Sequence, residues 1–316
     1  VSYGFAGHIG IAEETTWGTA LAATDYFEAL SESIVTNIER FDVRNITGGF
    51  FEPDDETGVQ RHAGDVVIPG HPVSIGYLLN GVLGTNSIST VLSGFLFTNN
   101  FTFLTSDINS LHPLVPYTLE VFRDVTSAQQ FSGVQFGALQ IGVAPNQDLR
   151  FSASVLAQTR NNIAATTPSF PGSPTGVFKF DTASIQIGGA ANTKLEAVNL
   201  TLDNQIEGLP ALNASAEIAR VKRNGFQMVR LSGTMTFEDQ TEKDIFIAET
   251  EQAVLLNFTK ADSFSLLVDI PRFVYSTYPD QMSGRDRLTV DFEGIGRYHT
   301  GSSSAIRISL TTTNTF

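Results

Sequence analysis

Cysteine is absent from this chain of 316 residues, which removes disulfide frameworks, thiolate metal sites and cysteine nucleophiles together. Charge is scarce: Asp, Glu, Lys and Arg make up 16% of the sequence, against roughly a quarter in ordinary globular chains. Cations are scarcer still, 19 Lys and Arg against 33 Asp and Glu, for a formal charge of −14. A chain so poor in cations is not built to grip nucleic acid through its phosphates, which takes clustered Lys and Arg. It can still let nucleic acid pass. Long apolar runs are missing too. The longest helix-like one, Ile75 to Leu83, contains Asn80 and falls far short of the ~20 residues that cross a bilayer. Val1 to Glu14 has no basic opening and loses its apolar character at Glu13 and Glu14, so it does not read as a secretory signal and the chain is expected to be soluble.

Catalytic patterns are equally thin. Neither a G-x-S-x-G elbow nor the Gly-Lys pair of a phosphate loop occurs. Gly294-Ile295-Gly296 begins like a dinucleotide fingerprint, but His299 stands where the third glycine belongs, and the context is a β-hairpin rather than the start of a helix. His8, His62, His71, His112 and His299 are scattered, without the i, i+4 spacing of a helical zinc site. Asp54-Asp55-Glu56 lacks the alternating spacing of a calcium loop and reads as a solvated acidic loop. Asn-x-Ser/Thr triplets such as Asn45-Ile46-Thr47 and Asn213-Ala214-Ser215 read as accidents of an Asn- and Thr-rich composition. No cofactor or metal is expected, and the chain is read as a non-enzyme.

What the sequence does have is strand. Its 24 Phe residues sit with Val, Ile and Thr in alternating runs separated by Gly, Asn, Asp and Pro. Clear cases are Leu30 to Arg40, Ala138 to Val143, Leu149 to Leu156, Leu195 to Glu207, Val229 to Glu238 and Leu288 to Glu293. Helical spacing is clear once, where Ile75, Leu78, Leu79, Val82 and Leu83 share one face and Gly84 is placed to end the helix. A second helix is expected from about Thr241 to Gln252, with Thr241 and Asp244 resembling a capping pair.

These two helices expose an internal repeat. Tyr77-Leu78-Leu79 matches Ile245-Phe246-Ile247, and the same offset matches Ile34 with Leu202, Ile38 with Ile206 and Glu39 with Glu207. The alternation stays in phase, and a one-residue slip would have swapped the faces. Further on, Val121 matches Val268, and Leu139 and Ile141 match Leu288 and Val290. The first half carries extra residues within Thr85 to Pro116, where Phe95 to Phe103 reads as a hairpin around Asn99-Asn100. The expected division is a first repeat over 1–160, including an N-terminal arm and the extra region near 85–116, a linker rich in Pro, Gly, Ser and Thr over 161–177, and a second repeat over 178–316.

Several segments, taken in order, resemble the tail tube protein family of long-tailed bacteriophages. They are GIAEETTWGTA (Gly10 to Ala20), FEALSESI (Phe27 to Ile34), GDVVIPGHPVSIGYLLNGVLG (Gly64 to Gly84), FKFDTASIQIGG (Phe178 to Gly189), VNLTLDNQIEG (Val198 to Gly208) and LVDIPRFVY (Leu267 to Tyr275). The resemblance spans nearly the whole chain; Ser87 to Pro113 is the part least like the family. It implies an all-β fold with one short helix per repeat, a tandem β-sandwich that donates strands to a ring-shaped barrel. Rings stack into the tube through which DNA leaves the capsid. The duplication points to a homotrimer with pseudo-sixfold symmetry. About 24 tilted strands at ~4.8 Å spacing enclose a channel near 48 Å across at the backbone.

The resemblance also suggests where functional residues lie. In the first half Leu30, Ile34 and Ile38 alternate with Ser31, Ser33, Asn37 and Glu39; in the second, Val198, Leu200, Leu202 and Ile206 alternate with Asn199, Thr201, Asp203, Gln205 and Glu207. On pattern alone the polar faces could equally meet bulk water. On the family's pattern Asn37, Glu39, Asn199, Asp203, Gln205, Glu207, Asp291 and Glu293 face the DNA channel, whose acids would not trap phosphates. Arg150 is the exception. The long loop Phe41 to Ala63 carries Glu52, Asp54, Asp55 and Glu56, and its counterpart Leu209 to Gln227 carries Arg220, Lys222 and Arg223; these are expected to order where rings stack. Implied partners are further copies of the chain, tail-tip or baseplate and tail-terminator proteins, a tape-measure protein and then double-stranded DNA in the lumen, with no membrane. The implied location is the virion tail, assembled in the host cytoplasm. The competing reading is an extracellular β-sandwich module that binds carbohydrate or another ligand, and Trp17 as the sole tryptophan speaks against it.

Overall fold

A computed structural model describes residues 2–43, 55–92, 96–170, 176–260, 264–280 and 287–316. The chain begins with β1 (His8–Glu13), β2 (Asp25–Phe27), β3 (Ser31–Glu32), β4 (Val35–Asp42) and β5 (Asp55–Pro69). Helix α1 (Ile75–Leu83) follows, then β6 (Gly84–Leu92) and β7 (Leu96–Phe103). The first half continues with β8 (Tyr117–Phe122), β9 (Ala128–Val143), β10 (Arg150–Ala157) and β11 (Thr159–Ile163). The second half opens with β12 (Ala183–Ile187), β13 (Ala190–Ala191), β14 (Leu195–Asp203), β15 (Ile206–Leu209), β16 (Arg220–Arg223) and β17 (Met228–Thr236). Helix α2 (Thr241–Ile247), β18 (Gln252–Thr259), β19 (Ser265–Thr277), β20 (Thr289–Gly296) and β21 (Arg307–Thr312) complete it.

Every strand pairing among the described residues is antiparallel, and a common set of pairings occurs in both halves. In the first half β1 pairs with β2 and β8, β9 with β8, β10 and β11, and β5 with β3, β4 and β10. In the second, β12 pairs with β13 and β18, β19 with β18, β20 and β21, and β17 with β14 and β20. Irregularities recur with them. An extra residue separates Phe131 from Val134 opposite Leu119 and Tyr117, and another separates Ile270 from Phe273 opposite Val254 and Gln252. Bulges re-aim strands and are retained as designed features, so a shared bulge ties the two halves more closely than shared composition does.

Among the described residues two strand pairings join the halves. β9 pairs with β14, placing Ile141 opposite Leu200 and Leu139 opposite Leu202. β7 pairs with β21, placing Phe101 opposite Ile308. The first connection fuses an eight-stranded sheet in the order β3/β4–β5–β10–β9–β14–β17–β20–β19. Among the described residues this sheet does not close on itself. Its buried face carries Val66, Ile68, Phe151, Ala153, Leu139, Ile141, Leu200, Leu202, Val229, Leu231, Val290 and Phe292. Each large side chain there contributes roughly 1.5–3 kcal/mol through burial.

Helix α1 forms as expected, with all residues but Tyr77 buried and Gly84 in the left-handed region at φ +79°. Helix α2 is shorter than expected and buries no residue. Its expected capping pair is not made, because Asp239 takes the Thr241 amide and Gln240 is the N-cap. The hairpin expected around Asn99-Asn100 does not turn there: both residues lie mid-strand in β7, between β6 and β21. Asn99 is fully buried and donates to the Asn314 carbonyl, a role for which a turn asparagine would be too exposed. The inserted hairpin is instead β6–β7, and residues 93–95, Phe95 among them, lie outside the described residues.

The later repeat matches also shift. Pairing makes β8 the counterpart of β18 and β9 that of β19, so Val121 corresponds to Leu256 rather than Val268. Both are buried strand residues, which is why pattern alone confused them. The segment expected as a linker over 161–177 begins inside β11. Beyond it, the Thr166 amide and hydroxyl both donate to buried Glu120.

Candidate functional site

The outer face of the eight-stranded sheet is polar across both halves. Cross-strand register sets Arg150, Gly142, Asn199, Ser232 and Glu293 in one row. Ser152, Gln140, Thr201, Arg230 and Ile295 form the next. Asp291 lies opposite Thr234, whose hydroxyl donates to it at 2.6 Å. Because strand side chains alternate, the residues between these are the buried ones named above, and the polar rows are what the fold leaves outward.

Asn199, Asp203, Asp291 and Glu293 therefore share one face. Asp203 is held by its own turn, accepting from the Gln205 amide at 2.7 Å and its side-chain nitrogen at 2.6 Å. Gln205 and Glu207 do not continue the face. The expected single strand Leu195 to Glu207 breaks after Asp203: Asn204 is fully buried and Gln205 adopts φ 52°. Glu207 then lies on the separate ribbon β15–β16, opposite Lys222. Asn37 and Glu39 are exposed on β4, and Glu39 accepts from Arg61 Nε at 3.0 Å.

The first half also departs from the expected apolar stripe. Ile34 is buried, but Leu30 and Ile38 are 51% and 45% exposed, as is Val35 at 54%. Leu30 lies just before β3, and Val35 and Ile38 lie on β4, the strand at one edge of the sheet, so no neighbouring strand among the described residues flanks them. Cations on the face are few: Arg150 has Asp148 at 3.5 Å, and Arg230 has no carboxylate partner among the described residues.

Two hairpins project beyond one end of this sheet. The first is β4–β5; Glu52 and Asp54 lie outside the described residues, while Asp55 pairs with Arg40 at 3.0 Å and Glu56 is exposed. The second is β15–β16, carrying Arg220, Lys222 and Arg223. Arg223 is already engaged, with Asp107 at 2.9 Å and Asn204 at 2.7 Å. The structure brings the two hairpins together within one chain, a contact that no sequence pattern signals. The Gln60 amide donates to the Ala216 carbonyl, Arg61 donates to the Gly208 carbonyl, and buried His62 bonds Thr36 and Glu217, both at 2.9 Å. His62 is the residue that composition could not flag, since a lone strand histidine carries no spacing signal.

Shifted titrations fall in the core and at exposed ion pairs; on the rim of this face the Thr236 hydroxyl and, less, Arg287 hold Glu196 below its ordinary range. Burial, chiefly, pushes the Tyr275 and Tyr77 hydroxyls far up and Tyr278 to about 12. Burial also raises Glu14, against the opposing pull of bonds from Gly133, Thr118 and Gly18. Among the described residues no three His, Asp or Glu side chains converge as metal ligands, and no helix is long and apolar enough to cross a membrane.

The sequence matches no curated protein. A family model for the phage tail tube protein matches residues 4–296. With that match over nearly its whole length, and with the mostly β, antiparallel fold described above, the chain belongs to the phage tail tube protein family, a structural component of the virion tail.

Proposed function

We propose that three copies of this chain form a ring with pseudo-sixfold symmetry, and that rings stack into a hollow tube that conducts double-stranded DNA from capsid to host. The units are residues 1–160 and 178–316, joined by 161–177. The observation that carries this reading is the eight-stranded sheet with its two unlike ends, β3/β4 and the stretch of β19 beyond Phe273, past its pairing with β18. The junction β9–β14 inside one chain joins a first half to a second half. Repeating it between chains joins β19 of one copy to β3/β4 of the next, and covers the exposed Leu30, Val35 and Ile38. Three such sheets supply the roughly 24 strands of an open channel. Asn199, Asp203, Asp291 and Glu293 line it, with Asn37 and Glu39 toward one rim and Gln205 and Glu207 on the ribbon beyond. The lumen carries a tape-measure protein first and DNA afterwards, without sequence-specific binding. Tail-tip and terminator proteins cap the tube, and assembly takes place in the host cytoplasm. The role is mechanical and needs no catalysis.

Electron microscopy of concentrated purified protein tests the proposal. Annuli or hollow filaments with six lobes and threefold rotational power are expected. Uniformly dispersed monomers, or rings containing six complete chains, would overturn it.

A further inference from the structure

Phe178 occupies a slot that has an open twin. In the first half, the Gly70 amide donates to the Leu149 carbonyl at 2.6 Å just beyond the β5–β10 pairing. Phe178, ahead of β12, adds to this place as a further strand residue. Its amide donates to the Gly70 carbonyl and its carbonyl accepts from the Leu149 amide, both at 2.9 Å. Its ring is fully buried. In the second half the Phe237 amide donates to the Leu288 carbonyl at 3.0 Å, at the same step beyond β17–β20. Here the Phe237 carbonyl and the Leu288 amide have no backbone partner among the described residues.

Strand register identifies the residue that corresponds to Phe178. From Leu149 and Leu288, six residues on, Val155 corresponds to Gly294, and these pair with Phe136 and Tyr275. Five residues back along β9 and β19 lie Phe131 and Ile270, which pair with Leu119 and Val254. Those in turn pair with Ile11 and Ile187. Counting back equally from Ile11 and Ile187 reaches Ser2 and Phe178. Local structure agrees, since each is followed by one extended residue and a single 3-10 turn, Gly4–Ala6 and Phe180–Thr182. Side-chain volume agrees as well. The first junction joins glycine to phenylalanine, Gly70 with Phe178; the second would join phenylalanine to serine, Phe237 with Ser2. Each then holds one aromatic ring.

We infer that the segment ahead of β1 enters the second half of a neighbouring copy, where Ser2 bridges Phe237 and Leu288 as Phe178 bridges Gly70 and Leu149 within one chain. Phe178 leads into the second half while seated in the first, so its twin must lead into a first half while seated in the second half of the chain before it. Tyr3, 52% exposed, and Phe5, 88% exposed, travel with this arm. Tyr3 corresponds to Lys179, which bridges to Asp148, and so comes beside Arg287, whose guanidinium can stack on an aromatic ring. The inference rests on the ring proposed above.

The absence of cysteine makes the test direct. Chains carrying Ser2→Cys and chains carrying Leu288→Cys are mixed and oxidised; neighbouring strand positions suit a disulfide. Heterodimers on non-reducing gels are expected, and the doubly substituted chain should give covalent trimers. Ser2→Phe is expected to slow ring assembly ~10-fold by overfilling the junction, as lost anchor packing does at interfaces. Ser2→Phe with Phe237→Gly should restore it by recreating the first-half arrangement. Normal rings with no cross-link, or Ser2→Phe chains assembling at the parental rate, would overturn the arm and leave the ring standing. Chains that stay monomeric would overturn both.

Discussion

Asn204 of the second half donates its side-chain amide to the Val82 carbonyl at 2.7 Å, satisfying a backbone acceptor in the last turn of helix α1. Helix ends leave such carbonyls unpaired, and this one is closed by a residue 122 positions away. The Asn204 oxygen meanwhile accepts from Arg223 at 2.7 Å and Gln227 at 3.2 Å. One fully buried side chain therefore ties α1, β16 and the segment that leads into β17. Replacing Asn204 with Ala should cost about 2–3 kcal/mol, because several buried polar groups lose their partners together. Thermal denaturation of the variant would check it; an unchanged melting temperature would mean that the β9–β14 and β7–β21 pairings hold the halves together without this side chain.

Tyr77, Tyr117, Tyr275 and Tyr278 should make the fold sensitive to alkali. Burial is the main cause that holds each hydroxyl protonated beyond its ordinary range near 10, Tyr278 to about 12. Tyr77 donates to Asp25 and Tyr275 to Glu242, at 2.6 and 2.8 Å. Above pH 10 the unfolded chain releases these protons while the native chain keeps them. The unfolded state then binds fewer protons, so stability falls as pH rises from about 10. Tyrosinate absorbance should appear together with loss of structure in one cooperative step. Free ionisation of all seven tyrosines near pH 10, with the fold intact, would contradict this.

The strand content, helix α1 and the polar face of β14 and β20 were legible in the sequence, because two-residue alternation and a glycine stop act locally. The break at Asn204 was not. Continued alternation would have required Asn204 to point into the core as a bare amide; it does point inward, but only because Val82, Arg223 and Gln227 receive it. Leu30 and Ile38 misled in the opposite sense. Their spacing marks a face to be buried, and within one chain that face is an open edge. Which partner covers an edge is a property of assembly, and a single sequence does not encode it locally.

Charge reversal on the polar face should change passage and not folding. Asp291→Lys with Glu293→Lys alters two exposed side chains, and such surface changes usually stay within about 0.5 kcal/mol. In a trimeric ring they would add two cations per chain along the channel, where phosphates pass. Virions carrying the pair should show normal tails and slower DNA ejection, followed by dye fluorescence after receptor triggering. Asp203 is the poorer choice, since its carboxylate also holds the Gln205 turn. Ejection at the parental rate would remove Asp291 and Glu293 from the channel wall.

The rim hairpins narrow the question of how rings register. Two of the charges expected to meet a neighbouring ring are engaged within the chain, Asp55 by Arg40 and Arg223 by Asp107. Among the described residues of the two hairpins, Glu56, Glu207, Arg220 and Lys222 have no ion-pair partner, and Glu207 lies opposite Lys222 on its own ribbon. In the ring stack proposed above, Glu56, Arg220 and Lys222 would be free to choose a partner across a ring boundary, where complementary charge fixes register and rate more than affinity. Glu56→Lys should slow polymerisation at low ionic strength, and Arg220→Glu with Lys222→Glu should restore it. Asp55→Ala should have a smaller effect, because it frees Arg40 without reversing the rim. Light scattering across a salt series separates the cases, since screening at higher ionic strength should erase the difference between variants. If Glu56→Lys polymerises normally at low salt, register is set by the exposed apolar residues of the same rim, Phe41 and Leu212, rather than by charge.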